Sequence, residues 1–265
     1  MTILTSLVIY LLVGAFAGTL AGLFGIGGGL IIVPALILSF HLQGVGTDAM
    51  THLAVGTSLA TIAFTSLSSI RTHHQKGGVR WDIFRPMAVG IVIGAALGAQ
   101  TAALLSGPML QKIIGVFALL MAVRMVWDVK PKASRDVPGA VGLGSAGGFI
   151  GWASAIFGIG GGTLTVPFLS WCNVRMQAAV GTSAACGLPI AVAGAVANVY
   201  TGWGEPHLPP YSAGFIYLPA LIGIVLTSVP FARVGAILAH KLSHVWLKRT
   251  FALLLLVVGS HFLIA

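Results

Sequence analysis

The chain has 265 residues, of which 57% are hydrophobic and only 7% charged, and its mean hydropathy is +1.00. A soluble domain carries roughly 25% charged residues, so a soluble enzyme or a free binding module is excluded. The net charge of +9 would suggest nucleic acid in a soluble chain; here the basic residues read as topology signals, and no nucleic-acid partner is expected.

An apolar run of about 20 residues crosses a bilayer. Ten such or shorter segments are expected, near 3–23, 28–43, 50–70, 84–104, 109–128, 139–157, 161–173, 177–200, 212–232 and 246–264. The first resembles a signal peptide, with Ala15-Phe16-Ala17 placed like a cleavage site. No Lys or Arg precedes it, so it reads as a retained helix. Gly14, Gly18 and Gly22 along it, and Gly90, Gly94 and Gly98 in segment four, give the four-residue glycine spacing of close helix packing. That spacing is most simply helix packing within one chain, with a homodimer as the second reading.

Phe24-Gly25-Ile26-Gly27-Gly28-Gly29 follows the first segment, with Val33-Pro34 after it. The same six residue types return at 157–162, again with Val166-Pro167 behind them, at an offset of 133. Ala54-Val55-Gly56-Thr57-Ser58 returns as Ala179-Val180-Gly181-Thr182-Ser183, at an offset of 125. The chain is thus two copies of one five-segment unit: 1–128, a cytoplasmic linker at 129–136, and 137–265. The expected class is an all-α polytopic membrane protein of about ten transmembrane or re-entrant segments.

Charge sets the orientation. Arg71, Lys76, Arg80 and Arg85 lie between segments three and four. Arg124, Lys130, Lys132 and Arg135 lie around the linker, and Arg175 lies between seven and eight. Arg233, Lys241, Lys248 and Arg249 lie around the connection from nine to ten, and only Lys112 falls on the opposite side. The positive-inside rule puts the basic loops in the cytoplasm and both termini in the periplasm or outside the cell. The loop 203–207 of the second unit has no Lys or Arg where its counterpart in the first is basic. Five segments per unit and this reversal together predict two inverted repeats in the cytoplasmic (inner) membrane.

The glycine turns do not fit the nucleotide fingerprint G-x-G-x-x-G, because Leu30 and Thr163 stand where the third glycine belongs. Their arms, 30–42 and 163–172, are short for simple crossings and read as re-entrant or broken helices. A helix that starts in bare glycines exposes N–H groups at its positive end, and that combination binds anions. The candidate substrate-binding residues are therefore Gly27, Gly28, Gly29, Gly160, Gly161, Gly162 and Thr163. To these are added Gly56, Thr57 and Ser58, Gly181, Thr182 and Ser183, and Asn198 inside segment eight. The glycines could instead permit close packing, and the hydroxyls could instead bond a neighbouring carbonyl.

The acidic residues Asp48, Asp82, Asp128, Asp136 and Glu205 all lie near loops or segment ends, leaving His52, His73 and His74 as candidates for gating or coupling. Cys172 and Cys186 form neither a zinc pattern nor a disulfide framework. No metal, cofactor or catalytic residue is expected: Ser183 and Cys186 lack a paired base, so the protein is not read as an enzyme.

The doubled F-G-I-G-G-G-x-x-x-V-P, the A-V-G-T-S after each copy and the H-x-x-G-G-V after the first resemble the TauE/SafE sulfite exporter family over nearly the whole chain. The resemblance implies a membrane carrier for sulfite, sulfonates or related organosulfur anions, with Gly27–Gly29, Gly160–Gly162 and both G-T-S groups at the site. The second half departs from the histidine pattern, since 198–202 has no His. The expected function is export of sulfite or a small organosulfonate by alternating access, with the bilayer and the small anion as partners. The alternatives are a passive anion channel and an importer coupled to protons.

Overall fold

The computed structural model describes residues 3–24, 28–126, 136–206, 208–239 and 244–264. In chain order the elements are α1 (Ile3–Phe24), α2 (Gly29–Leu42), α3 (Thr47–Gln75), α4 (Trp81–Ala103) and α5 (Gly107–Val126). Then come α6 (Ala140–Phe157), α7 (Gly162–Trp171), α8 (Met176–Thr201), β1 (Ser212–Ala213), β2 (Ile216–Tyr217), α9 (Leu218–Ala239) and α10 (His244–Ile264). Among the described residues α3, α4, α5, α6 and α8 are long and apolar enough to cross a membrane. The all-α membrane class is observed. The linker at 129–136 lies almost wholly outside the described residues.

One expected segment starts late. Segment nine becomes helical only at Leu218, because residues 212–217 form a tight antiparallel pair, Ser212 opposite Tyr217 and Ala213 opposite Ile216. Gly214 turns it at φ +54°, a left-handed conformation that a helix cannot contain. At the other extreme α3 runs on to Gln75, until Gly77 at φ +65° sends its N–H back to the His74 carbonyl.

The helices pack in pairs. α1 lies along α9, α6 along α4, α5 along α10 and α3 along α8. Glycine makes the first two pairings close. A Cβ on Gly90 or Gly94 would strike the carbonyl of Gly144 or Gly148, and one on Gly18 would strike that of Ser228. Without a hydrophobic drive between helices in lipid, such backbone approach and its dispersion contacts hold the pairs together. The four-residue glycine spacings read from the sequence therefore serve packing within this chain.

The two short arms keep their lengths. At 1.5 Å per residue, the 14 residues of α2 and the 10 of α7 cover about 21 and 15 Å of a core about 30 Å thick. Each carries its Val-Pro inside the helix, at Pro34 and Pro167, where membrane helices tolerate proline. Both arms are tucked against the long helix that follows, α2 on α3 and α7 on α8.

Candidate functional site: a hydroxyl-lined cavity at the second glycine turn

α6 ends where the second glycine turn begins. Gly158 takes φ +64°, and the Ile159 N–H returns to the Ser154 carbonyl at 3.0 Å, a glycine stop of the usual left-handed kind. Three residues later Gly161 is the N-cap of α7 and offers no side chain to cap it. The first backbone bond of α7 runs from the Thr165 N–H to the Gly161 carbonyl at 2.8 Å. The N–H groups of Gly160, Gly161 and Gly162 have no partner among the described residues. Orphan donors at a helix start are satisfied by side chains, water or ligands.

These three glycines line a cavity of 230 Å³. Its opposite wall is the C-terminal half of α3, which contributes Ile62, Thr65, Ser66, Ser68, Ser69, Thr72 and His73. Ser183, Ala184 and Gly187 of α8, Val229 and Ala232 of α9, and Ala21 of α1 complete it. Among the described residues the lining contains hydroxyls, amides and one imidazole, and no carboxylate, Lys or Arg. Amide N–H groups only donate, so the turn suits an anion and repels a cation.

The hydroxyls differ in what they have left to give. Thr65 donates to its own helix at the Ile62 carbonyl, 3.2 Å away, Thr72 to the Ser68 carbonyl at 3.0 Å, and Ser183 to the Val180 carbonyl at 3.2 Å. Ser66 is 8% exposed and, like Ser68 and Ser69, its hydroxyl has no partner among the described residues. A Cβ on Gly187 would sit 3.2 Å from the Ser66 Oγ and 3.5 Å from the Gly161 N. The free hydroxyl and the free amide thus flank one glycine.

The residues singled out from the sequence fall into groups. Gly160, Gly161, Gly162, Ser183 and His73 line the cavity. Thr163, at the first turn of α7, is buried with its hydroxyl unpartnered among the described residues, as is Thr165. Gly28 and Gly29 are buried, and Gly29 presses on the second turn: a Cβ there would sit 2.5 Å from the Gly158 carbonyl. Ser58 donates to that same carbonyl at 2.8 Å. The two glycine turns therefore meet. Gly27 lies outside the described residues.

The other two positions of each G-T-S hold loops. Gly56 admits the Phe215 backbone, and the Thr57 hydroxyl accepts the Tyr217 N–H at 2.9 Å. Gly181 admits the Gly78 backbone, and the Thr182 hydroxyl accepts the Arg80 N–H at 2.9 Å. Tyr217 immediately precedes α9 and Arg80 immediately precedes α4, so each threonine fixes the start of a long helix from the other half of the chain. Asn198 donates to the Gly194 carbonyl of its own helix at 2.8 Å.

Two of the three histidines are held away from the cavity. His52 sets Nδ1 3.0 Å from the Asp48 carbonyl oxygen and Nε2 2.9 Å from that of Ala102, and its ring stacks on Phe215. A neutral ring serves one of these carbonyls and an imidazolium serves both. His74 accepts the Trp81 indole N–H at 3.3 Å. Beside it Arg80 pairs with Asp82 at 2.6 Å, and this partner holds the guanidinium above its ordinary range.

Sequence reasoning missed Thr65, Ser66, Ser68, Ser69 and Thr72. The signal was present as Thr65-Ser66-Leu67-Ser68-Ser69-Ile70-Arg71-Thr72-His73-His74, a run of hydroxyls inside an apolar segment. A larger hollow of 780 Å³ lies between α4 and α8, but its walls are side chains such as Val92, Ala96, Leu188 and Val196, with polar groups only at Gln100, Tyr200 and Thr201. It lacks the convergent donors of an anion site.

Residues 10–262 match the family model described as sulfite exporter TauE/SafE. A probable membrane transporter protein of Haemophilus influenzae is 38% identical over 260 residues, covering 96% of this chain and 97% of its own length. A probable membrane transporter protein of Methanocaldococcus jannaschii is 25% identical, covering 96% of this chain and 94% of its own. One from Bacillus subtilis is 26% identical over 90% and 92%. No solved structure matches the chain. The chain belongs to the TauE/SafE sulfite exporter family, and the relatives it matches are described as probable membrane transporters, not as enzymes.

Proposed function

We propose that this protein is a secondary transporter that exports sulfite or a small organosulfonate across the cytoplasmic membrane by alternating access. The observation that carries the reading is the cluster of N–H groups at Gly160–Gly162 that have no partner among the described residues, on glycines lining a cavity whose described residues supply hydroxyls and no carboxylate. Such a site neutralises an oxyanion with dipoles and hydrogen bonds at a helix N-terminus. Thr163 and the first turn, Gly28 and Gly29 with Ser58, stand behind it. Thr57 and Thr182 support the frame.

The reading includes two inverted repeats. Exchanging the first five helices for the last five turns the α1–α9 pairing into α6–α4 and leaves α3–α8 and α5–α10 unchanged. The same exchange turns the Thr57 bond to the residue before α9 into the Thr182 bond to the residue before α4. Transporters of inverted design bind substrate where the repeats meet and rock one part against another. With the basic loops in the cytoplasm and both termini outside, the α3 end of the cavity faces the cytoplasm.

Export needs no coupling ion. An inside-negative membrane favours anion exit by about 2.3 kcal/mol per charge per 100 mV. A proton-coupled importer is the second reading, supported by His73 in the cavity wall. Counterflow separates the possibilities. Proteoliposomes loaded with unlabelled sulfite should transiently accumulate labelled sulfite or sulfonate at zero potential. Flux that rises without saturation and shows no counterflow would replace the carrier with a passive channel. Accumulation driven only by a proton gradient would reverse the direction.

A further inference from the structure

The unpartnered hydroxyls of α3 do more than line a wall. Ser66, Ser69 and His73 recur at helical spacing, so they share one face, and all three line the cavity. Ser66 is more than nine-tenths buried, and neither it nor Ser69 donates to any described residue. Both oxygens open into the cavity and are free to donate to a ligand there. The His73 ring also makes no hydrogen bond among the described residues. Next to Thr72 and His73 of the lining, the stretch from Arg71 to Arg85 carries four basic residues against one acid, Asp82, which Arg80 already engages.

The other half of the chain lacks this feature. At the 125-residue offset of the repeated A-V-G-T-S, Ser66, Ser69, Thr72 and His73 of α3 become Ala191, Gly194, Ala197 and Asn198 of α8. Asn198 spends its donor on Gly194. Ala197 faces the apolar hollow between α4 and α8.

We infer that Ser66, Ser69 and His73 form a loading site for small oxyanions, such as a sulfonate head group, between the basic mouth and the second glycine turn, and that only the first repeat has one. The inference rests on the cavity being the anion's path. Three donors on one helix face match the three oxygens of an SO3 group. The basic loop raises the local concentration of anions at the mouth. The anion then passes from hydroxyls to amides without meeting a carboxylate. On the α8 side the described residues supply no equivalent stage, so the two faces of the carrier bind the anion with different apparent affinity.

The test is thiol labelling in sided membrane vesicles with a sulfonate-bearing and a quaternary-ammonium methanethiosulfonate. The variants are Ser69→Cys, Ala197→Cys and Gln75→Cys. Exposed Gln75 lies outside the cavity lining and normalises reagent reactivity, and the wild type, with both native thiols buried, gives the blank. The anionic-to-cationic rate ratio at Ser69→Cys should exceed that at Gln75→Cys by about tenfold, the worth of one hydrogen bond to a charged group. Methanesulfonate should slow labelling there, from the cytoplasmic face only, and Ala197→Cys should show neither effect. A ratio equal to that of Gln75→Cys, or no protection by methanesulfonate, overturns the loading site. Sulfite flux through wild-type protein in the same vesicles reports separately on the transport reading. Flux with unselective labelling removes the loading site alone, and selective, protected labelling without flux removes the carrier alone.

Discussion

Replacing Thr57 and Thr182 by Val tests what the repeated G-T-S is for. Valine keeps the shape of threonine and replaces its hydroxyl by a methyl group that cannot accept a hydrogen bond. In the native chain each oxygen accepts a backbone N–H at 2.9 Å, from Tyr217 and from Arg80, and both threonines are 0% exposed. Neither amide has another partner among the described residues. An amide left buried and unpaired costs about 1–3 kcal/mol. Both bonds are part-buried, so each variant should lose about 1 kcal/mol, and the double variant about 2, since the two bonds share no partner. Unfolding in mixed detergent micelles, followed by circular dichroism, measures this loss. Neither threonine lines the cavity, so the KM of the surviving folded protein should stay within a factor of about two. Unchanged stability with a KM raised tenfold or more would refute the reasoning and return both threonines to the binding site.

Gly161→Ala is conformationally free at φ −58° but drives a methyl to 2.7 Å from the Ser183 carbonyl and 3.0 Å from the Gly187 nitrogen. The turn must move by roughly half an ångström from that carbonyl, and flux per folded protein should fall about tenfold or more. Gly139→Ala meets nothing within 4 Å, and flux assays should find it close to wild type. Gly94→Val strikes the Gly148 backbone, so detergent unfolding should show a loss of about 3 kcal/mol with the α4–α6 pair disrupted. Ser58→Ala removes the donor to the Gly158 carbonyl at 2.8 Å and should destabilise by about 1 kcal/mol. An unchanged unfolding curve would show that this contact does not tie the first turn to the second.

Much of this was legible because membrane chemistry is severe. Ten apolar runs gave ten helices among the described residues, with most ends within a few residues, since a backbone in lipid must satisfy itself within a helix. The glycine turns stood out because they repeat. What stayed hidden depends on pairing across the chain. No local pattern says that Thr57 accepts from Tyr217, 160 residues away, or Thr182 from Arg80, 102 residues away. The β1–β2 pair was lost inside an apolar stretch because a left-handed turn at Gly214 leaves no periodic signature. The α3 hydroxyls were visible in the sequence. Their meaning came only when the fold set Ser66 and Ser69 opposite Gly160–Gly162.

The central claim is that an anion binds at the second glycine turn and is carried. Concentration jumps on a solid-supported membrane test it most directly, with sulfite, methanesulfonate, sulfate and chloride applied in turn to wild type and to Gly161→Val. The account predicts a saturable current carrying negative charge with sulfite or the sulfonate, none with chloride, and loss of that current in the variant. An undiminished current in Gly161→Val, or a non-saturating current that chloride carries equally well, would contradict it.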